Sequence, residues 1–344
     1  MGDNRQGRRS PGRAGGARGS QAAGKSVRRI PASERRRRRR KRLIRALTAW
    51  AVCIFLVILI AWGTVNLISY LTTSKKRQLR EQGIEKLESG DYAGAVGAFD
   101  EALEKSGKKA EEFNRDVLLY RAEAEFMLKD YGAALHTYDL LLEIDRNHPE
   151  YLYLQAVCYA RQGDGISAEE KYEAALAADN KKDSPAAGRL SALLAVGGAF
   201  MDQEQYDKAL ALYESAAAGG MDHGEIYNQM GLCQMASQDY QGAYDSFDKG
   251  ISAASAAVAE AGKEKASSDK TSKKGEEEKP SQSEKDSSLT EQHTRLLREI
   301  TYNRAVACEY LQEYDKALKL FEDFVAQFGP DEAAEHEITF LKTR

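Results

Sequence analysis

The sequence predicts an all-α protein in three parts: an unfolded basic tail, one membrane-crossing helix and a stack of helical hairpins. Three observations predict it. Residues 46–71, ALTAWAVCIFLVILIAWGTVNLISYL, contain no charged side chain. Residues 1–42 hold 16 Lys and Arg against only Asp3 and Glu34. From Gln78 onward, one pattern of small and aromatic residues recurs six times.

The tail, residues 1–42, is rich in Gly, Ser and Arg and almost free of apolar residues, so it cannot bury a core and is expected to be disordered. Arg35–Arg42 abuts the apolar stretch. Such a cluster attracts anionic lipid headgroups at about 1 kcal/mol per basic residue. The same charges would also suit nucleic acid or the ribosome, since Arg-rich tails bind phosphate without a fold. Gly19–Ser26, GSQAAGKS, matches the phosphate-loop pattern. That chemistry needs a buried strand before the loop and a helix after it. Here PGRAGGAR precedes and VRRIPASERR follows, and neither can enter a core.

The membrane segment is assigned to residues 43–71. At about 1.5 Å per residue its apolar run outspans a hydrocarbon core of roughly 30 Å. Inside lipid the backbone must bond to itself, which a helix does within one segment. Trp50, Trp62 and Tyr70 suit the interfaces. A cleaved signal peptide would be shorter and would end in an Ala-x-Ala-like site, for which Ala61-Trp62-Gly63 is a poor match. The far flank carries only Lys75, Lys76, Arg77 and Arg80 nearby, so the richer basic flank is expected to stay in the cytoplasm and the rest to lie outside the cytoplasmic membrane. Charge divides the same way: residues 1–77 hold 20 basic and 2 acidic side chains, the remainder 30 and 51. No Pro or Gly falls between Gly63 and Gly83, so the helix is expected to run on into the first hairpin.

The repeats show in Gly90-Asp-Tyr-Ala-Gly-Ala-Val-Gly-Ala-Phe99 and Lys129-Asp-Tyr-Gly-Ala-Ala-Leu-His-Thr-Tyr138. Further copies begin at Gly163, Gln205, Asp239 and Glu313. A small residue of each first helix is Gly83, Ala122, Ala156, Gly197, Gly231 or Ala305. An alanine early in each second helix is Ala95, Ala134, Ala168, Ala209, Ala243 or Ala317. The aromatic four residues later is Phe99, Tyr138, Tyr172, Tyr213, Phe247 or Phe321. The pattern resembles the tetratricopeptide repeat, a 34-residue helix–turn–helix unit. Two of the spacings between first-helix small residues are 34, and the others, 39, 41 and 74, are that period plus an insertion. The small residue lets paired helices approach, and the aromatic is expected to fill the space where the next hairpin stacks.

The resemblance implies a helical solenoid with repeats 1–5 over residues 78–259, and repeat 6 with a capping helix over 291–344. Residues 260–290 are charged, polar and free of aromatics, and are expected to be a disordered insert flanked by extensions of the neighbouring helices. The cap is placed at Asp331–Lys342.

Nothing predicts an enzyme. The five histidines are scattered, and no metal-ligand spacing or nucleophile motif occurs. Cys53 lies in the apolar stretch, while Cys158, Cys233 and Cys308 fall in helical apolar surroundings and read as buried hydrophobes. No cofactor, metal or small-molecule substrate is expected. The resemblance implies instead a groove built from first-helix positions. One row there is Arg80, Leu119, Tyr153, Leu194, Asn228 and Tyr302. The next turn adds Ile84, Glu123, Val157, Gly198, Leu232 and Val306, and the one beyond adds Leu87, Phe126, Ala160, Met201, Met235 and Glu309. Asp116, Glu150, Ser191, Glu225 and Glu299 would form an acidic rim. The expectation is a membrane-anchored scaffold or assembly factor for extended peptide or protein clients. The alternative is a membrane tether whose tail binds nucleic acid or ribosomes.

Overall fold

The structure, a computed structural model, describes residues 32–106, 110–179, 185–271 and 281–344. The chain divides into two compact units, one ending at Tyr70 and the other running from Leu71 to Arg344. Every element among the described residues is helical.

Helix α1, Ala32–Glu88, is unbroken and contributes to both units. It begins inside the stretch expected to be unfolded, where its arginines are good helix formers. Residues 1–31, with the Gly19–Ser26 match, lie outside the described residues. From Cys53 the helix is long and apolar enough to cross a membrane, and its most apolar window has no buried residue. Trp50, Phe55, Trp62 and Tyr70 are all exposed. Its polar side chains bond back to their own backbone: Thr64 Oγ1 donates to the Ala61 carbonyl at 2.9 Å, and Asn66 Nδ2 to that of Trp62 at 2.8 Å. That is how polar groups are tolerated away from water.

The second unit is a succession of hairpins. The C-terminal part of α1 pairs with α2, Tyr92–Ser106. There follow α3, Glu111–Met127, with α4, Tyr131–Ile144, and α5, Pro149–Arg161, with α6, Gly165–Ala178. Next come α7, Arg189–Asp202, with α8, Tyr206–Ala218, and α9, Gly224–Ala236, with α10, Tyr240–Thr271. Last are α11, Ser281–Tyr310, with α12, Tyr314–Phe328, and the cap α13, Glu332–Leu341. Helix therefore covers most of the expected 260–290 insert, and 272–280 lies outside the described residues. The Ala-rich ISAASAAVAEA run explains why α10 continues.

Each hairpin turns the same way. Gly90, Lys129, Gly163, Glu204, Gln238 and Gln312 all have φ between 60° and 83°. In each turn the next N–H reaches back five residues, as from Asp130 to the Glu125 carbonyl at 3.0 Å and from Asp239 to that of Gln234 at 2.8 Å. This left-handed closure satisfies carbonyls at the helix end. The residue after the turn is often Asp for a second reason. Asp91, Asp130, Asp164 and Asp239 each accept a backbone N–H of the following helix at 3.0 Å. The repeated Asp-Tyr is thus an N-cap.

The aromatic does more than meet the next hairpin: it packs on the small residue of its own. A Cβ added to Gly231 would lie 2.4 Å from the Phe247 ring, and one on Gly197 2.2 Å from that of Tyr213. Neighbouring repeats are also joined by polar staples between equivalent positions. Arg121 Nε lies 2.9 Å from Asp100, Gln155 Nε2 donates to Asp139 at 2.7 Å, and Arg304 Nη1 to Asp248 at 2.5 Å. At the two junctions between these, Val196 and Met230 take the first-helix position and are buried.

Candidate functional site: a groove along the first helices

Helices α3, α5 and α7 bring Leu119, Phe126, Val157, Ala160 and Leu194 of the expected rows into two adjoining clefts. The first, of about 460 Å³, is lined by Leu119, Tyr120, Phe126, Tyr138, Leu154 and Val157, with Asp116 and Glu123. The second, of about 380 Å³, lies between α5 and α7 and includes Val157, Ala160, Leu194, Gly198 and Asp202. Val157 lines both, so the surface is continuous from repeat 2 to repeat 4. Leu119 is the most open apolar member, at 38 % exposure.

The rim is less acidic than the sequence suggests. Arg80, on the repeat-1 part of α1, donates to the Asp116 carboxylate from Nε and from Nη2, the latter at 3.1 Å. Its guanidinium carbon also lies 5.3 Å from the Tyr120 ring centroid. That hydrogen bond keeps the Arg80 side chain above its ordinary value despite partial burial.

Two expected groove residues are instead buried. Tyr153 is wholly covered at the α5–α6–α7 junction, its ring 5.7 Å from that of Tyr172 and its hydroxyl donating to Asp179 at 3.3 Å. Burial pushes its phenol well above the ordinary range. Asn228 is 2 % exposed because α11 lies over it: its Nδ2 donates to Glu299 at 2.8 Å, and its Oδ1 accepts from Asn303 at 3.1 Å. Leu232 and Met235 are half-buried against the α10–α11 core, and Met201 against the central core of α5 to α9. Near repeats 5 and 6, then, the expected row is largely packing.

Tyr302 stands apart from the α3–α7 clefts. Its ring meets Phe321 and Phe324 edge-on, at 5.5 and 5.7 Å, and it lines clefts on either side, of about 600 and 440 Å³. Phe126 stands in one of the expected rows, whereas sequence reasoning missed Tyr120 and Leu154. They lie on the same first helices, displaced by one residue from the chosen rows, so a wider helical stripe would have included them.

Among the described residues, no group of three or more His, Cys, Asp and Glu is placed to hold a metal. Burial pushes the thiols of Cys158 up to about 12 and those of Cys233 and Cys308 to about 11, so all three are poor nucleophiles.

Residues 86–158 match the tetratricopeptide repeat family model. A curated relative, a BBSome complex member BBS4 homolog from Drosophila melanogaster, is 26% identical over 153 residues, covering 44% of this chain. The chain spans only 29% of that relative's length. A solved structure of PilW, a type IV pilus biogenesis factor, is 16% identical and covers 77% of this chain and 97% of its own, with a TM-score of 0.45. A tetratricopeptide repeat protein from Parabacteroides merdae is 14% identical, covering 78% and 99%, with a TM-score of 0.42. MamA is 18% identical, covering 53% and 92%, also with a TM-score of 0.42. The family match covers residues 86–158, and the same hairpin turn recurs through the rest of the second unit, an all-α solenoid of tetratricopeptide-like form.

Proposed function

We propose that the protein is a membrane-anchored, non-enzymatic scaffold that holds extended peptide or protein clients outside the cytoplasmic membrane. The observation that carries this reading is the pair of adjoining clefts sharing Val157. An apolar channel with a few polar groups suits an extended chain that offers alternate side chains to successive pockets. The anchor is the apolar part of α1, where Trp50, Phe55, Trp62 and Tyr70 are exposed and the most apolar window has no buried residue. The basic flank favours a cytoplasmic N-terminus and contact with anionic lipid.

The test is photocrosslinking in intact membranes. A crosslinker at Leu119, Val157 or Leu194 should capture a defined client, and one at the exposed outer positions His136 or Glu173 should not. Equal capture at both sets would overturn the groove. External protease on intact protoplasts should remove the repeats and spare residues 1–42; the opposite digestion would overturn the orientation.

A further inference from the structure

Helices α11, α12 and α13 enclose the cleft of about 600 Å³ beside Tyr302, and its lining is unlike that of the α3–α5 cleft. It includes Tyr302, Tyr310 and Tyr314 together with Glu309, Glu337 and Arg344. The two carboxylates face each other across α11 and α13. Burial raises Glu309 above the ordinary carboxylate range, Glu337 raises it further, and Arg344 draws it back. Two acids brought together in a partly covered cleft are stabilised by a cation.

The chain supplies one. Arg344 follows α13, and its guanidinium carbon sits 4.7 Å from the Phe340 ring centroid and 5.0 Å from that of Tyr314. Its Nη1 donates to the Tyr314 hydroxyl at 3.1 Å. Arg344 is itself solvent-exposed, so this guanidinium is at the rim and exchangeable. A planar cation suits tyrosine faces, and the carboxylates supply the charge.

We propose that this cleft is a docking site for a basic side chain, arginine above all, of a polypeptide partner, and that Arg344 is its resident competitor. The inference rests on the reading of the protein as a client-binding scaffold. It adds the chemistry of one contact: apolar side chains are taken between α3 and α7, and a cation at the repeat-6 end.

The test uses the full chain in nanodiscs and two fluorescent peptides of identical sequence, one carrying two arginines and the other citrulline in their place. The arginine peptide should bind about ten-fold more tightly, about 1.4 kcal/mol. The double variant Glu309→Gln/Glu337→Gln should abolish that preference. Asp315→Asn/Glu332→Gln removes the same charge from exposed positions outside the cleft and should leave the preference intact. Arg344→Ala should tighten the arginine peptide several-fold. Equal binding of the two peptides, equal losses in both double variants, or weaker binding by Arg344→Ala would overturn the proposal. If the peptides fail while Leu119 and Val157 still crosslink a client, only this site falls. If crosslinking fails as well, the scaffold reading falls with it.

Discussion

Glu125 is a charged residue at 2 % exposure inside the second repeat, and replacing it tests how the hairpins are joined. Thr137 Oγ1 donates to its Oε2 at 2.6 Å, and Arg121 Nη2 lies 3.2 Å from its Oε1. Arg121 also donates to the Thr137 hydroxyl at 2.5 Å and pairs with Asp100 on α2. Glu125→Ala removes two partners at once from a covered network. Breaking a buried pair costs about 3–5 kcal/mol, and since Arg121 keeps Asp100 the lower end applies, about 3 kcal/mol. Glu125→Gln retains the bond to Thr137 and should cost about 1 kcal/mol or less. Repeat 5 already uses that pairing: Gln234 and Ser246 occupy the same two positions, 2.7 Å apart.

The two substitutions also separate by pH. Burial is the largest influence on Glu125 and raises its carboxyl, with the bond to Thr137 and the charge of Arg121 opposing. The folded state therefore holds a proton that the unfolded state has released. Stability from this group is full below the ordinary value of 4.5 and falls as pH rises through the folded value. Glu125→Gln cannot titrate, so it should gain on the wild type as the pH is raised from 4 towards neutrality. Hydrogen exchange read on α3 and α4 peptides is the suitable assay, because effects in a repeat array are local. A cost below about 1 kcal/mol for Glu125→Ala, or a glutamine variant that loses ground as pH rises, would refute the reasoning.

Three further outcomes follow from the packing. The Tyr213 hydroxyl is buried with no hydrogen-bond partner among the described residues, and Phe stands at this position in repeats 1, 5 and 6, so Tyr213→Phe should raise thermal stability by about 1 kcal/mol. Gln238 holds φ of 64° in its turn, so Gln238→Gly should stabilise by about 0.5–1 kcal/mol in urea melts, while Gly163→Ala, at φ of 79°, should destabilise by about 1 kcal/mol. Cys158, Cys233 and Cys308 are buried, so a thiol reagent at neutral pH should leave all three unmodified until denaturant is added.

The hairpins were legible because their contacts are short in sequence. Gly231 and Phe247 lie 16 residues apart and pack together, as do Gly83 with Phe99 and Gly197 with Tyr213, and the same spacing recurs in every copy of the motif. The Asp of Asp-Tyr was visible as a pattern, and its capping role becomes evident once the turn is seen. The groove was harder. Tyr153 and Leu119 occupy equivalent positions, yet one is wholly covered and the other open, because cover depends on how closely the following hairpin seats. Asn228 is hidden by a helix that begins more than 50 residues later. Arg344 and Glu337 belong to a cap that follows no repeat rule, so no periodicity points to the cleft beside them.

The staples between repeats have a consequence for the array as a material. Arg121 with Asp100 ties the second repeat to the first, and Arg304 with Asp248 ties the sixth to the fifth. At the equivalent position in the two seams between repeats 3 and 5, Val196 and Met230 put buried apolar side chains in place of a staple. Added electrolyte weakens the first kind of joint and spares the second. The solenoid should therefore loosen from both ends inward as ionic strength rises, keeping a stiff middle.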